Sequence, residues 1–154
     1  MGFFDDMTEA LKAYPETDVT LEIVEVNFPD DALNATETGT FRVQVRNSGP
    51  LVLTNVTLRI KGLNGATVAN NGAAAPFVSE FVTQELPTIA GHGGVEKTVG
   101  SPLKFKAPGS AQPAKNLVSA TLEGWNATLD HILIGHSDPL ESVKATFAAE
   151  VVAL

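Results

Sequence analysis

The sequence predicts an all-β fold, a single antiparallel sandwich of about seven to nine short strands with a short helix at the N-terminus. Residues 40–46 alternate apolar side chains at 41, 43 and 45 with polar ones, which is the period-two pattern of a half-buried strand. The turn residues Asn-Ser-Gly-Pro at 47–50 interrupt this pattern, which resumes at Val56, Leu58 and Ile60. Two such strands around a turn indicate antiparallel sheet, and further runs of this kind follow at spacings of about ten to fifteen residues.

Composition places the chain among folded domains and argues against several functions. The chain has 154 residues, 44% of them hydrophobic, and no cysteine, so one domain can bury its own core and thiol chemistry is excluded. The net charge is −8, and the ten basic residues are scattered, mostly at outward strand positions, which argues against nucleic acid and anionic membranes as partners. No run approaches the roughly 18 apolar residues that span a bilayer, so membrane insertion is not expected.

The start of the sequence shows neither the basic region nor the apolar run of a secretory signal. If Met1 is the native start, we expect synthesis in the cytoplasm, with incorporation into a virion or particle as a later location. Secretion is expected only if the native N-terminus is missing from this sequence.

Residues 1–16 are predicted to form an amphipathic helix ahead of a sandwich domain at 17–154. Asp6 and Glu9 resemble a capping box, and Pro15 ends the helix. Apolar residues recur along it at spacings of three and four, at Phe3, Phe4, Met7, Leu11 and Tyr14. Because so short a helix is marginal alone, its apolar stripe should pack on the sandwich or on a neighbouring subunit. We therefore predict an assembly contact made by Phe3, Phe4, Met7 and Leu11.

The strands of the sandwich follow from the same alternation. The first covers 19–28 and changes phase between Ile23 and Val24, which indicates a bulge or a strand that changes partner sheet. Further strands are expected at 39–47, 53–61, 66–69, 77–86, 117–124 and 143–152, and residues 95–99 and 102–106 are expected to form either one strand or two short ones. The predicted core comprises Phe41, Val43, Val45, Val56, Leu58, Ile60, Phe147 and Val151. Loops or turns are expected at 29–39, 89–94 and 107–114, where Gly, Pro and polar residues concentrate.

Several short motifs in these strands resemble the immunoglobulin-like sandwich modules of the cell-adhesion-related CARDB type. The resemblance rests on Asn-Ser-Gly at 47–49, Thr-Asn-Val-Thr-Leu at 54–58, Ile-Ala-Gly at 89–91 ahead of 95–99, and Phe-Lys-Ala-Pro at 105–108. It covers roughly residues 19–152 and implies an immunoglobulin-like fold together with a role in assembly or adhesion. A small sandwich behind a helix is also similar to the WHy-type late-embryogenesis-abundant proteins, although their Asn-Pro turn is missing here.

One cluster has the residue types of a metal site, namely Asp130, His131, His136 and Asp138. The spacing argues against such a site, because imidazoles five residues apart lie on opposite faces of a strand and about 140° apart on a helix. Only a tight turn at Gly135 brings them together. We therefore expect a polar loop between strands, with no metal and no cofactor, and keep these four residues as weak metal candidates.

The sequence predicts a protein that is not an enzyme, with no catalytic residues. Ser, His and Asp occur without a Gly-x-Ser-x-Gly elbow or another nucleophile context. The Gly-rich run around His92 lacks the helix and the Lys of a phosphate loop, which favours a hairpin turn. Trp125, the one tryptophan, is expected either to pack in the core or rim or to serve as an exposed ligand contact for sugar or protein.

These observations favour a non-enzymatic structural module, a subunit or decoration of a larger assembly such as a virion, a tail-like particle or a filament. Its expected partners are proteins, either copies of itself or other subunits of the assembly. Two alternatives stay open. One is a monomeric cytoplasmic stress-protective protein of the WHy type, and the other is a carbohydrate- or protein-binding module.

Overall fold

The structure, a computed structural model, describes residues 18–28, 33–70, 76–129, 132–137 and 140–152, with the side chains at 128–129, 132–137 and 140–142 excepted. These residues form an all-β sandwich of two sheets, as the sequence predicts. The predicted helix at 1–16 lies outside the described residues, and so does its predicted assembly contact at Phe3, Phe4, Met7 and Leu11.

The strands are β1 Val19–Asn27, β2 Leu33–Asn34, β3 Thr38–Asn47, β4 Val52–Gly62, β5 Thr67–Ala69, β6 Phe81–Glu85, β7 Gly94–Lys97, β8 Leu103–Lys106, β9 Gln112–Leu129, β10 Ile132–Ser137 and β11 Leu140–Val152. The described part of the chain thus has eleven strands where seven to nine are expected. Part of the difference arises because β2 and β10 form within stretches expected to be loops. The long β9 also begins inside the expected linker at 107–114.

The first sheet has the order β1-β3-β8-β5, with β7 also paired to β3. The two short strands β7 and β8 lie end to end along one edge of β3, opposite β1. The phase change predicted after Ile23 is a real bulge, since the register of β1 against β3 shifts between Val24 and Asn27 and Glu25 has a φ of 53°. Because β7 and β8 are separate strands, the predicted segments 95–99 and 102–106 form two strands rather than one.

A single arginine holds the break between β7 and β8 against β3. The guanidinium of Arg42 donates hydrogen bonds of 2.7 and 2.8 Å to the carbonyl oxygens of Thr98 and Gly100. The backbone N–H of Val43 donates to the hydroxyl oxygen of Thr98 over 3.2 Å. Backbone groups that lose ladder partners at the break are satisfied in this way.

The second sheet has the order β2-β11-β9-β4-β6, with β10 also paired to β9. β9 is central: β4 pairs along one of its edges, and β10 and β11 follow each other along the opposite edge. β2 adds a short parallel pairing at the end of β11. This sheet faces the first one, and β1 of the first sheet lies next to β11 of the second.

The core lies between the sheets and contains the predicted residues. Phe41, Val43, Val45, Val56, Leu58, Ile60 and Val151 are buried, and Phe147 is partly buried against them. The ring of Phe105 bridges the two sheets, because its centroid lies 6.2 Å from that of Phe41 and 5.7 Å from that of Phe147. Such separations are typical of favourable aromatic pairs.

The turn at 89–94 differs from the expected hairpin. Ile89 bridges to Leu53 in the second sheet, whereas Gly94 begins β7 in the first. The Gly-rich segment around His92 therefore carries the chain from one sheet to the other. Alternation alone could not distinguish the two outcomes, because it reports faces of strands and not their partners.

Candidate interaction face of the second sheet

The outward face of the second sheet is formed by side chains that alternate with the buried ones. Because Leu58 and Ile60 point into the core, Arg59 and Lys61 point outward from β4. The strand registers align the outward residues of β4, β9 and β11 in two rows, Arg59 with Thr121 and Lys144, and Lys61 with Ser119 and Thr146. Positive and hydroxyl side chains distant in sequence thus become neighbours.

A shallow groove of about 360 Å³ runs over these rows. Leu63, Phe81 and Asn116 complete its lining. Phe81 lies opposite Lys61 on the edge strand β6, and 44% of its surface is exposed. We call this surface the basic groove, defined by Arg59, Lys61, Phe81, Ser119, Thr121, Lys144 and Thr146.

Arg59 is held in place at one side of the basic groove. Its Nη2 lies 2.8 Å from Oε1 of Glu123, and its guanidinium carbon lies 4.3 Å from the centroid of the Phe81 ring. The ion pair neutralises much of the charge of Arg59. The cation–π contact gives the exposed Phe81 ring a fixed partner. Arg59, Glu123 and Phe81 thus form an ordered polar and aromatic side of the basic groove.

Lys61 and Lys144 supply the free positive charge of the basic groove. Both side chains are exposed, and neither forms an ion pair with a residue that the structure describes. The hydroxyl groups of Ser119 and Thr146 line the groove beside them as hydrogen-bond donors, whereas that of Thr121 donates to the backbone carbonyl oxygen of Arg59 over 3.5 Å. In a chain of net charge −8, this arrangement suits a carboxylate, sulfate or phosphate group.

The free edge of β11 borders the basic groove. On one edge β11 pairs with β9, and on the other the described residues provide only β2, at Val151 and Val152. From Lys144 to Glu150 the strand alternates regularly between exposed and partly buried side chains. Its outer edge offers backbone N–H and C=O groups to another strand.

The outward face of the first sheet carries a separate charged network. Nζ of Lys97 lies 2.9 Å from Oε2 of Glu25, and Nε of Arg42 lies 3.9 Å from the same oxygen. The hydrogen bond from Lys97 holds the pKa of Glu25 below its ordinary value; desolvation opposes this, and the charges of Lys97 and Arg42 add to the lowering. This network ties β1, β3 and β7 together and is exposed.

The structure places Trp125 inside the molecule. Its side chain is 3% exposed and belongs to the core cluster, so the ring presents no face to a ligand at the surface. This agrees with core packing, one of the two roles expected for it. Among the described residues of the second sheet, the exposed aromatic ring is that of Phe81, which no sequence pattern singles out.

The side chains of the four metal candidates, at positions 130, 131, 136 and 138, are not among those that the structure describes. Asp130, His131 and Asp138 lie outside the described residues, and only the backbone of His136 is described, opposite Asn126 within β10. The stretch expected to be a polar loop therefore contains a strand, with a register shift between Leu133 and Gly135. Among the residues that the structure describes, no group of three or more His, Asp or Glu could hold a metal ion.

Only part of the basic groove could be predicted from the sequence. Arg59 and Lys61 occupy outward positions of a clear alternation, so their exposure could be predicted. Their proximity to Lys144 could not, because β4 and β11 are joined through β9 and no local pattern encodes that order.

No family model matches this chain. No curated protein matches it. The CARDB domain of the PF1109 protein from Pyrococcus furiosus, solved in complex with di-metal ions, is 17% identical, and the match covers 88% of each chain at a TM-score of 0.37. The sporulation control protein Spo0M from Bacillus subtilis is 10% identical, with 88% of this chain and 49% of that chain covered at a TM-score of 0.35.

A third similar structure is the PapD-like domain 7 of human CEP192, at 12% identity and a TM-score of 0.28, with 88% of this chain and 84% of that chain covered. One of these similar structures is thus a CARDB domain, the module type that the sequence motifs resemble. The fold assignment itself rests on the pairing of this chain's own strands. Within the described ranges, no helix has the length and hydropathy to cross a membrane.

Proposed function

We propose that this chain is a non-enzymatic structural module that forms part of a larger assembly. The observation that supports this best is the edge of β11 between Lys144 and Glu150, which has no strand partner among the described residues. Monomeric proteins usually protect such an edge with proline, a bulge or several charges. This stretch contains no proline and one charge at each end.

The side of the sandwich at this edge also carries apolar surface. Leu21 and Ile23 on β1 and Phe147 and Ala149 on β11 are only partly buried, and the two strands lie next to each other. The other partly buried apolar side chains packed against the core are Val26, Phe28, Val78 and Val82. A partner placed here would cover apolar area that the domain leaves partly exposed, which favours association.

The assembly that we propose is a virion, a tail-like particle or a filament, with this chain as a subunit or a decoration. Its partners are copies of itself or other protein subunits. A sandwich core with an edge of β11 that is unpaired among the described residues supports this role, because such a module can add a strand to a sheet of another chain.

Light scattering of the full chain over a range of concentrations tests the proposal. We expect the average mass to rise with concentration. A variant that lacks residues 1–16 should keep its thermal transition but associate more weakly, because the apolar stripe of Phe3, Phe4, Met7 and Leu11 no longer contributes. A full chain that stays monomeric at high concentration, and unfolds when truncated, would support the stress-protective alternative.

The basic groove favours a second candidate function, binding of an anionic ligand such as an acidic carbohydrate. Exposed Phe81 offers a flat face, and Lys61 and Lys144 offer positive charge beside hydroxyl donors. We therefore propose the carbohydrate-binding alternative for Phe81, which is exposed, rather than for Trp125, which is buried. Titration with an acidic trisaccharide and its neutral counterpart, followed by NMR, should shift groove resonances only for the acidic sugar. Lys61→Glu should abolish those shifts, and Lys106→Glu on the other sheet should preserve them.

A further inference from the structure

We propose that β11 pairs with β11 of a second copy of this chain, antiparallel and about a two-fold axis at Phe147. The second sheets of two sandwiches would then form one continuous sheet. This inference rests on the proposed assembly function and names the surface that performs it. The partner is a second copy because the edge is complementary to itself.

The geometry of β11 is suited to such pairing. Between Lys144 and Val151 its register irregularities against β9 come from extra residues in β9: Phe147 lies opposite Val118 and Ala148 opposite Asn116, so Leu117 is skipped. β11 itself therefore has no inserted residue there, and its seven residues from Lys144 to Glu150 keep their alternation and extend over about 20 Å. This is an ordinary length for a pair of strands in a sheet.

The charges of this edge match under two-fold symmetry. Antiparallel pairing about Phe147 places each residue opposite the one equally far on the other side of the axis. Lys144 then faces a Glu150 and Glu150 faces a Lys144, which gives two opposite-charge pairs on the outward face. Thr146 faces Ala148 beside them. On the inward side Phe147 lies opposite its symmetry copy at the axis, with its ring packed against Phe105 of its own core.

Neighbouring registers lose this match. An axis moved by one residue places Lys144 opposite Ala148 in one direction and opposite Val152 in the other, and both charge pairs disappear. The ends of the edge limit longer slips, because β2 occupies the edge at Val151 and Val152 and the register of β11 is irregular between Leu140 and Lys144. The sequence of the edge therefore specifies one register.

The symmetry of the contact limits its product to a dimer. An isologous two-fold contact uses the same patch on both copies and closes on itself. Longer particles or filaments would need a further surface, for which the predicted contact of residues 1–16 is one source. The β11 pair is thus the building block of the proposed assembly and not its propagating contact.

Charge exchange in the full chain tests the pairing by sedimentation velocity at low ionic strength, where charge pairs are least screened. Lys144→Glu or Glu150→Lys alone converts both pairs to repulsive ones, and each should weaken the dimer by about tenfold or more. An equimolar mixture of the two variants should form a heterodimer at wild-type strength, because each Glu then faces a Lys. The double exchange in one chain should restore the homodimer.

Lys106→Glu is the matched control, since it makes the same charge change at an exposed position of the first sheet, away from the edge of β11. It should leave the dimer unchanged, and circular dichroism should show that all variants are folded. Single variants that dimerise like the wild type, or a mixture that fails to restore dimerisation, would overturn the pairing. If the charge changes have no effect on association but deletion of residues 1–16 abolishes it, the β11 pairing is wrong and the assembly function is supported. A wild-type monomer at every concentration would contradict both.

Discussion

The side-chain amide nitrogen of Asn47 donates a 2.6 Å hydrogen bond to the carbonyl oxygen of Leu51, and so joins the end of β3 to the residue before β4. Asn47 is completely buried. Its Oδ1 accepts a 3.3 Å hydrogen bond from the backbone N–H of Gly49. One amide group thus closes the turn from the inside, with partners that only a short polar side chain can reach.

This turn packs against the segment that crosses between the sheets. The backbone N–H of His92 donates to the carbonyl oxygen of Gly49 over 2.8 Å, and that of Gly93 donates to Asn47 over 2.7 Å. A Cβ on Gly91 would lie 2.7 Å from the carbonyl oxygen of Gly49. The Asn-Ser-Gly and Ile-Ala-Gly motifs, which carry the resemblance to CARDB modules, are therefore the two halves of one contact.

Replacement of Asn47 should destabilise the domain. Asn47→Ala leaves the buried carbonyl oxygen of Leu51 without its side-chain donor, which should cost about 1–3 kcal/mol of unfolding free energy. Urea unfolding followed by fluorescence measures the change. Ser48→Ala, at the exposed next position, is the control and should stay within about 0.5 kcal/mol of the wild type. Equal stability of the two variants would mean that the turn does not depend on this amide.

Gly91 should tolerate no side chain. Gly91→Ala pushes a methyl group into the backbone around Gly49 and Leu51, which cannot move as a flexible side chain can, so we expect a loss of about 1–3 kcal/mol. Gly109→Ala is the matched control, because no atom lies within 4 Å of its added Cβ. Thermal melts of the two variants should separate clearly, and coinciding melts would contradict the close contact of the turns.

The stability of the domain should depend on pH through Glu25. Its pKa is lowered in the folded state, so its stabilising contribution is present above the unfolded-state pKa and is lost as pH falls through the folded-state pKa. Lys97→Gln removes the main cause of the lowered pKa. Its melting temperature should lie below that of the wild type near neutral pH, and the difference should shrink in acid and in high salt. Lys106→Gln should show no such pH-dependent difference.

The His131 and His136 pair should prove unimportant for stability. If these residues only belong to the connection around β10, the double replacement by Ala leaves the melting temperature unchanged with or without a chelator. Differential scanning fluorimetry with EDTA makes the comparison. A chelator-induced drop in the wild type that the double variant lacks would instead reveal a bound metal ion.

Much of the strand content could be predicted from local pattern alone. The alternation at Phe41, Val43 and Val45, and again at Val56, Leu58 and Ile60, reports which side of a strand is dry, and these residues are buried as predicted. The phase change after Ile23 likewise marks the bulge at Glu25. A period of two is a property of a single strand, so a sequence can reveal it without knowledge of the partner strand.

Tertiary structure decided which strands became neighbours, and with them the candidate surfaces. Arg59 and Glu123 form an ion pair across 64 residues of sequence, and Lys144 joins the same face only because β9 lies between β4 and β11. The crossing at His92 and the burial of Trp125 also depend on the order of strands in the two sheets. Sequence determined the faces of the strands because side-chain alternation is local. The order of the strands was set by long-range packing. Backbone hydrogen bonds can join any two strands, so only the fit between whole strand faces decides which strands become neighbours.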